Sequence, residues 1–402
     1  MPAAMLLGLL SLLLPGTLRA EGSEWDHWEV SGHIAAQTQW FPKSPGDSSQ
    51  RRFYPSLSFQ PEFYREWDGG NQSLTFVPFV RLDAHDTERT HGDIRELTWL
   101  KAADFWEFRA GLRKVYWGVT ESQHLVDVIN QTDLVESPDG EEKLGQPMVN
   151  LSLSLDWGTL DLYWLPWFRE RTFPGREGRL RTPLVVDTDQ TRYESAAGES
   201  HQDFAIRWFQ TLGDWEVGLS HFSGTSRDPS LIPGTNDQGE AVLIPYYEKI
   251  DQTGVDVQGT FEAWLWKGEI ISRSGQGDRY TALTAGLEYT FVGILESDAD
   301  LGVIAEYLFD DRNNQATSPF EDDIMAGFRL ALNDTQSSDL LLGAIVDRES
   351  GAVASSLEAN RRLWDDWKIS LEGRYFGNIP SNDPLYAFKR DHYLQLELAR
   401  YY

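Results

Sequence analysis

Residues Val149 to Trp157 read Val-Asn-Leu-Ser-Leu-Ser-Leu-Asp-Trp. Val149, Leu151, Leu153, Leu155 and Trp157 fall on one parity, and Asn150, Ser152, Ser154 and Asp156 on the other. Successive side chains of a β-strand point to opposite faces, so the segment predicts a strand with one apolar and one polar side. The apolar side closes on a tryptophan, the residue that prefers the boundary between hydrocarbon and water.

The pattern recurs along the chain. From Trp28 to Trp40 the outward set is Trp28, Val30, Gly32, Ile34, Ala36, Thr38 and Trp40, against Glu29, Ser31, His33, Ala35, Gln37 and Gln39. Ile324, Ala326, Phe328 and Leu330 alternate with Asp323, Met325, Gly327 and Arg329, and Trp367, Ile369, Leu371 and Tyr375 with Lys368, Ser370, Glu372 and Arg374. A soluble sandwich also alternates, but aromatic residues at the strand ends favour lipid on the apolar side.

Connection lengths point the same way. Tight links such as 67–71, 102–104, 156–158, 212–214 and 364–367 alternate with long polar ones at 43–52, 84–92, 119–146, 169–202, 225–242, 311–321 and 377–389. Outer-membrane barrels join strands by short turns at one rim and long loops at the other. The expectation is therefore an all-β fold, a transmembrane antiparallel up-and-down β-barrel of about 18 strands, with 16 left open. Both chain ends are expected on the periplasmic side.

Composition agrees with that reading and removes others. The chain of 402 residues has no cysteine, 16 Trp and a net charge of −28, with a mean hydropathy of −0.44. That is too polar for a bundle of membrane helices, whereas barrel strands face lipid with alternate residues only. The acidity and the lack of a basic stripe exclude nucleic acid as a partner. Met5 to Pro15 is an apolar run of signal-peptide length, and cleavage is expected after Ala20, giving a signal peptide over 1–20 and a barrel over 21–402. Leu394, Leu396, Leu398 and Tyr402 share a parity at the C-terminus. That strand resembles the terminal signal read by barrel-assembly machinery, with Arg400 as a departure.

The most distinctive stretch runs from Asp93 to Leu134. It holds Arg95-Glu96, Gly111 with Arg113, Trp117-Gly118, and Asp127-Val128-Ile129-Asn130 followed by Asp133. These elements resemble a family of Gram-negative outer-membrane porin-like proteins, in which Gln131 takes the place of a family proline; the architecture is more distantly similar to alginate-export porins. The resemblance covers about a third of the chain and implies a barrel. It implies no particular cargo.

If Trp106, Phe108, Ala110 and Leu112 face lipid, then Glu107, Arg109, Gly111 and Arg113 face the lumen, with Gly111 leaving room between two guanidiniums. Parity also puts Arg207, Lys267, Glu269, Arg273, Arg329, Glu358, Arg362, Glu372 and Arg374 inside. Such charges form ion-pair ladders or a selective ring. The connection over 119–146 is long for a loop and unusually apolar, with Val119, Leu125, Val126, Val128 and Ile129. It is expected to fold into the lumen, bringing Asp127 and Asp133, with Asn130 between them, to Arg95, Arg109 or Arg113. Ser200, His201 and Asp203 are the one close grouping with catalytic residue types, and extended neighbours point apart, so no enzyme is expected. Acidic runs at 296–300 and 321–323 read as solvated turns, and no metal or cofactor is expected.

The expected function is an outer-membrane porin or channel for small polar or anionic solutes, with outer-membrane lipid and lipopolysaccharide as surroundings. An export conduit for a polysaccharide or other polymer, and a structural or adhesive surface barrel, are the alternatives.

Overall fold

The computed structural model describes residues 28–402 apart from 314, 315 and 317, so the expected signal peptide lies outside the described residues. Eighteen strands form one closed sheet among the described residues. They are β1 (Trp28–Trp40), β2 (Phe53–Trp67), β3 (Gln72–Asp83), β4 (His91–Ala103), β5 (Trp106–Arg113), β6 (Gln146–Leu155), β7 (Gly158–Leu165), β9 (Asp203–Leu212), β10 (Trp215–Thr225), β13 (Lys249–Phe261), β14 (Trp264–Gly275), β15 (Gly277–Phe291), β16 (Asp300–Asp310), β17 (Asp322–Ala331), β18 (Asp339–Asp347), β19 (Val353–Trp364), β20 (Trp367–Gly377) and β21 (Tyr393–Tyr401). Each pairs antiparallel with the next in this order, and β21 closes on β1 from His33 opposite Tyr401 to Trp40 opposite Leu394. Closure leaves no strand edge unpaired, which hydrocarbon requires.

Burial is inverted relative to a soluble protein. Gln37, Gln39, Ser56, Ser58, Asn150, Arg207, Asp256 and Glu269 are buried, while Leu57, Leu82, Ile206, Leu219, Ile324, Phe328, Leu342, Leu394 and Leu396 are exposed. The exposed apolar set lies on the outer parity of the strands, as the sequence predicts. Trp28, Trp157, Trp215, Trp264, Phe291 and Trp364 ring the tight-turn rim, and Trp40, Phe53, Trp164, Phe204 and Tyr375 stand near the other. A closed barrel wearing an apolar belt between two aromatic girdles is an outer-membrane barrel.

Connection lengths depart from strict alternation. At the long-loop rim β14 and β15 are joined by Gln276 alone, whose side chain accepts from Ser226 Oγ at 2.9 Å and donates to the Asp228 carbonyl at 2.6 Å. At the other rim 292–299 and 332–338 are longer than hairpin turns. The connection read as one polar loop at 225–242 instead runs to 248 and holds a hairpin, β11 (Ser230–Thr235) and β12 (Ala241–Tyr247), with β8 (Arg192–Tyr193) added parallel to β12. Residues 28 and 401, the ends of β1 and β21, both lie at the tight-turn rim.

Candidate constriction inside the barrel

The chain leaves the wall at Arg113 and crosses the lumen. By Glu121 it has reached β14 and β17, and β17 stands nine places from β5 in the ring of eighteen, directly opposite. Eight residues fully extended span at most about 26–29 Å, and the side chains of Glu121, Lys267 and Arg329 complete the reach.

Two wall carboxylates hold the far end. Glu269 on β14 accepts the backbone N–H of Val119 at 2.7 Å, of Thr120 at 2.9 Å and of Val126 at 3.1 Å, and the Thr120 hydroxyl at 2.7 Å. Glu306 on β16 accepts the N–H of Glu121 at 2.7 Å and of Ser122 at 2.8 Å. Glu121 in turn lies 2.6 Å from Arg329 and 3.5 Å from Lys267. Charged acceptors give the stronger class of hydrogen bond, so they fix the backbone itself, whatever side chains it carries.

Between these ends the loop is apolar for a packing reason. Trp117, Val126, Val128 and Ile129 join Met148, Tyr163, Leu165, Phe222, Ile250 and Ile271 on the inner faces of β6 to β14 in one buried cluster. Arg207, held by Asp256 at 2.5 and 2.7 Å, lies 5.3 Å over the Trp117 ring. The inner faces of these strands are thereby covered by packed side chains.

The six expected site residues sort as follows. Arg95 meets Asp133 at 2.5 Å, with both side chains buried and the guanidinium 4.1 Å over Phe79. Asn130 is a staple: its amide donates to the carbonyls of Arg113 at 2.7 Å and Leu144 at 2.8 Å and accepts from Val115 N–H at 2.9 Å, so it ties the loop's two ends together. Asp127 does not meet an arginine of the wall. It caps the Trp117 and Gly118 N–H groups at 2.6 and 3.0 Å and lies 3.5 Å from Lys143. Arg113 donates to Asn150 at 3.1 Å, and Arg109 pairs with Glu107 of its own strand. Gly111 serves the backbone rather than the guanidiniums: its φ is +141°, and a Cβ there would stand 1.8 Å from the Leu97 carbonyl oxygen.

Sequence reasoning placed Glu269 on the wall without a role and missed Glu306, Arg81, Arg89 and Glu136. Arg81 pairs with Glu136 at 2.8 Å, and Arg89 donates to the Val135 carbonyl at 2.9 Å, so residues 135 and 136 of the loop are bound to β3 and to the connection that follows it. The inward parity of Ile304, Glu306, Leu308 and Asp310 was the available signal for Glu306. Of the Ser200, His201 and Asp203 grouping, His201 and Asp203 meet at 2.8 Å, but Asp203 also holds Arg227 at 2.6 Å and the Thr225 N–H at 3.0 Å, the work of a structural acceptor.

A second long segment, 166–202, roofs the long-loop rim. Arg179 reaches Asp391 at 2.6 Å and the Arg390 carbonyl at 2.7 Å, 4.4 Å over Phe41. Gln50 donates to the Gly178 carbonyl at 2.6 Å. Asp86 accepts the Gly175 N–H at 3.2 Å, and a Cβ on Gly178 would lie 2.2 Å from its carboxylate, so only glycine lets the two loops close. Burial pushes the Asp86 carboxyl up to about 6, beyond what the N–H groups of Glu88 and Gly175 restore.

What stays open is a cavity of about 970 Å³ lined by the loop, by the inner faces of β14 to β20 and by the roof segment. Its charged residues carry both signs, among them Glu121, Asp139, Glu141, Arg312, Arg329 and Arg374.

No protein-family model and no curated protein sequence matches the chain. Its fold resembles solved outer-membrane porins. A triple mutant of Rhodopseudomonas blastica porin aligns at 10% identity and TM-score 0.45, covering 94% of this chain and 100% of that one. A loop-deletion mutant of OmpT, an outer membrane protein of Vibrio cholerae, aligns at 8% identity and TM-score 0.46 with the same coverage.

Proposed function

We propose that the protein is a passive channel of the outer membrane for small polar solutes, anions among them. The observation that carries this reading is the cavity of about 970 Å³ beside a strap that crosses the full lumen. A barrel that served only as a surface scaffold would have no need to keep such a cavity beside its packed strap. On this reading residues 119–146 are the constriction, Arg95, Asn130, Asp127 and Asp133 keep it in place, and Arg109 and Arg113 bias ion passage from the wall below. The resemblance of residues 93–134 to porin-like proteins supports the same role. Outer-membrane lipid and lipopolysaccharide are the partners of the belt, and the strand ending at Tyr402 is the handle for barrel-assembly machinery. No catalysis is part of this proposal.

Reconstitution in planar bilayers tests it. Discrete conductance steps are expected, and Arg113→Ala should shift the reversal potential in a salt gradient toward cations, because a fixed charge at a narrow point acts on a poorly screened ion. A silent, correctly folded barrel would rule the channel out.

A further inference from the structure

The wall of the open cavity is not polar throughout. Ile304, Leu308 and Met325 form a buried cluster on the inward parity of β16 and β17, extended by Phe320, Leu341 and Ile345. Inward positions of a wet barrel are ordinarily polar. On β6 to β14 the inward apolar residues are explained by the loop packed on them, but none of the loop's apolar side chains belongs to the β16 to β18 cluster. Met325, Leu341, Ile345 and Phe320 instead line the cavity, together with Glu121 and Asp139 of the loop and Arg374 of β20. Leu341 and Ile345 are only half-buried.

We infer that this cavity selects solutes with an apolar face and an ionic edge, over equally small solutes that are polar all round. The inference rests on the channel reading above and names its substrate class. A solute of this kind lays its hydrocarbon on Leu341, Ile345 and Met325 and turns its charged groups to Glu121, Asp139 and Arg374. Both signs are present there, so a zwitterion fits as well as an anion. A solute polar on every side leaves the apolar wall in water and gains nothing from it. Apolar contact is also graded and non-directional, so it can hold a solute at the wall without stopping its passage.

The test uses a matched pair. Leucine and asparagine are zwitterions with the same number of heavy atoms, differing in whether the side chain is hydrocarbon or amide. Proteoliposomes carrying the full-length barrel are placed in isotonic leucine or asparagine and the initial swelling rate is read by light scattering, with protein-free liposomes subtracted. Leucine should enter about fourfold faster, the partition gain of roughly one methylene removed from water. Leu341→Asn and Ile345→Asn, each made separately so that a folding failure in one leaves the other, should bring the ratio toward one by slowing leucine. Equal rates, or faster asparagine, in a wild-type barrel that swells would overturn the selectivity and leave the channel reading standing. No swelling in either solute would overturn the channel reading and this inference with it.

Discussion

The carboxylate of Glu306, on the barrel wall, accepts the backbone N–H of Ser122 at 2.8 Å across 184 residues of sequence. Together with Glu269 it grips the main chain of the inner loop at the far side of the lumen. Replacing Glu269 by Ala would leave the Val119, Thr120 and Val126 donors without their acceptor at a cost of about 3 kcal/mol of loop docking. The barrel should still assemble, because its ladder is untouched. Single-channel records should then turn from steady to flickering, and a quiet trace would mean that the two acids do not hold the loop.

Arg95 and Asp133 are both buried, so removing one partner strands the other. Arg95→Met should cost about 3–5 kcal/mol, and adding Asp133→Asn should return more than half of it, since the pair and not either charge is what the site tolerates. Urea unfolding of the barrel in micelles gives both values. A double variant that costs as much as Arg95→Met and Asp133→Asn added together would show that the pair is not coupled.

The roof over the long-loop rim should respond to pH through Asp86. Its carboxyl titrates near 6 in the folded loop and near 3.9 in an open one, so the folded form binds the proton more tightly. Docking of 166–202 on 84–90 is then weakest above about pH 6 and strengthens as pH falls through 6 toward 4. Protease protection of the 166–202 segment should rise on going from pH 7.5 to 5 in the wild type and stay level in Asp86→Asn. A rise of equal size in the variant would place the pH response elsewhere.

Lipid-facing and lumen-facing residues alternate on the closing strand, and the two parities predict opposite outcomes for one substitution. Leu396 is exposed on the belt and Gln395 accepts from Gln39 inside at 2.9 Å. Leu396→Arg should lower stability by about 2–4 kcal/mol if it sits near the bilayer midplane, and Gln395→Arg by far less. Folding yields in lipid vesicles compare them.

Orientation follows from the unequal rims. Ser200, exposed in the roof, and Asp68, exposed in a tight turn, stand at opposite rims of a barrel whose chain has no cysteine. A membrane-impermeant thiol reagent on intact cells should label Ser200→Cys and spare Asp68→Cys. The reverse result would invert the topology.

Most of the barrel was legible in the sequence because its physics is local. Lipid on one side and water on the other write a period of two into every strand, as in Val149 to Trp157, and parity alone put Asn150, Arg207 and Glu269 on the inner face. The loop's descent into the lumen was legible from its excess of Val, Leu and Ile. Its docking was not. Glu121 meets Arg329 at a separation of 208 residues, and parity says which side a residue faces but not how high it sits or what crosses to it. Asp127 was misassigned for the same reason: an acid beside a turn has backbone N–H groups at hand, and these were nearer than any arginine. The hairpin at 230–247 was hidden by its polar flanks, and the role of Gly111 by the close approach of the neighbouring strand's Leu97 carbonyl, which only the register reveals.

The central claim is that residues 119–146 narrow a pore. Single-channel conductance of a variant lacking Ser122 to Leu134 measures it directly. The deletion removes Ser122 with its bonds to Glu306, Val126 with its bond to Glu269 and the Asp127, Asn130 and Asp133 anchors, and leaves the eighteen-stranded wall complete. Conductance severalfold above wild type, in a variant with wild-type folding and heat stability of the barrel, is the predicted result. An inserted variant with unchanged conductance would contradict the account.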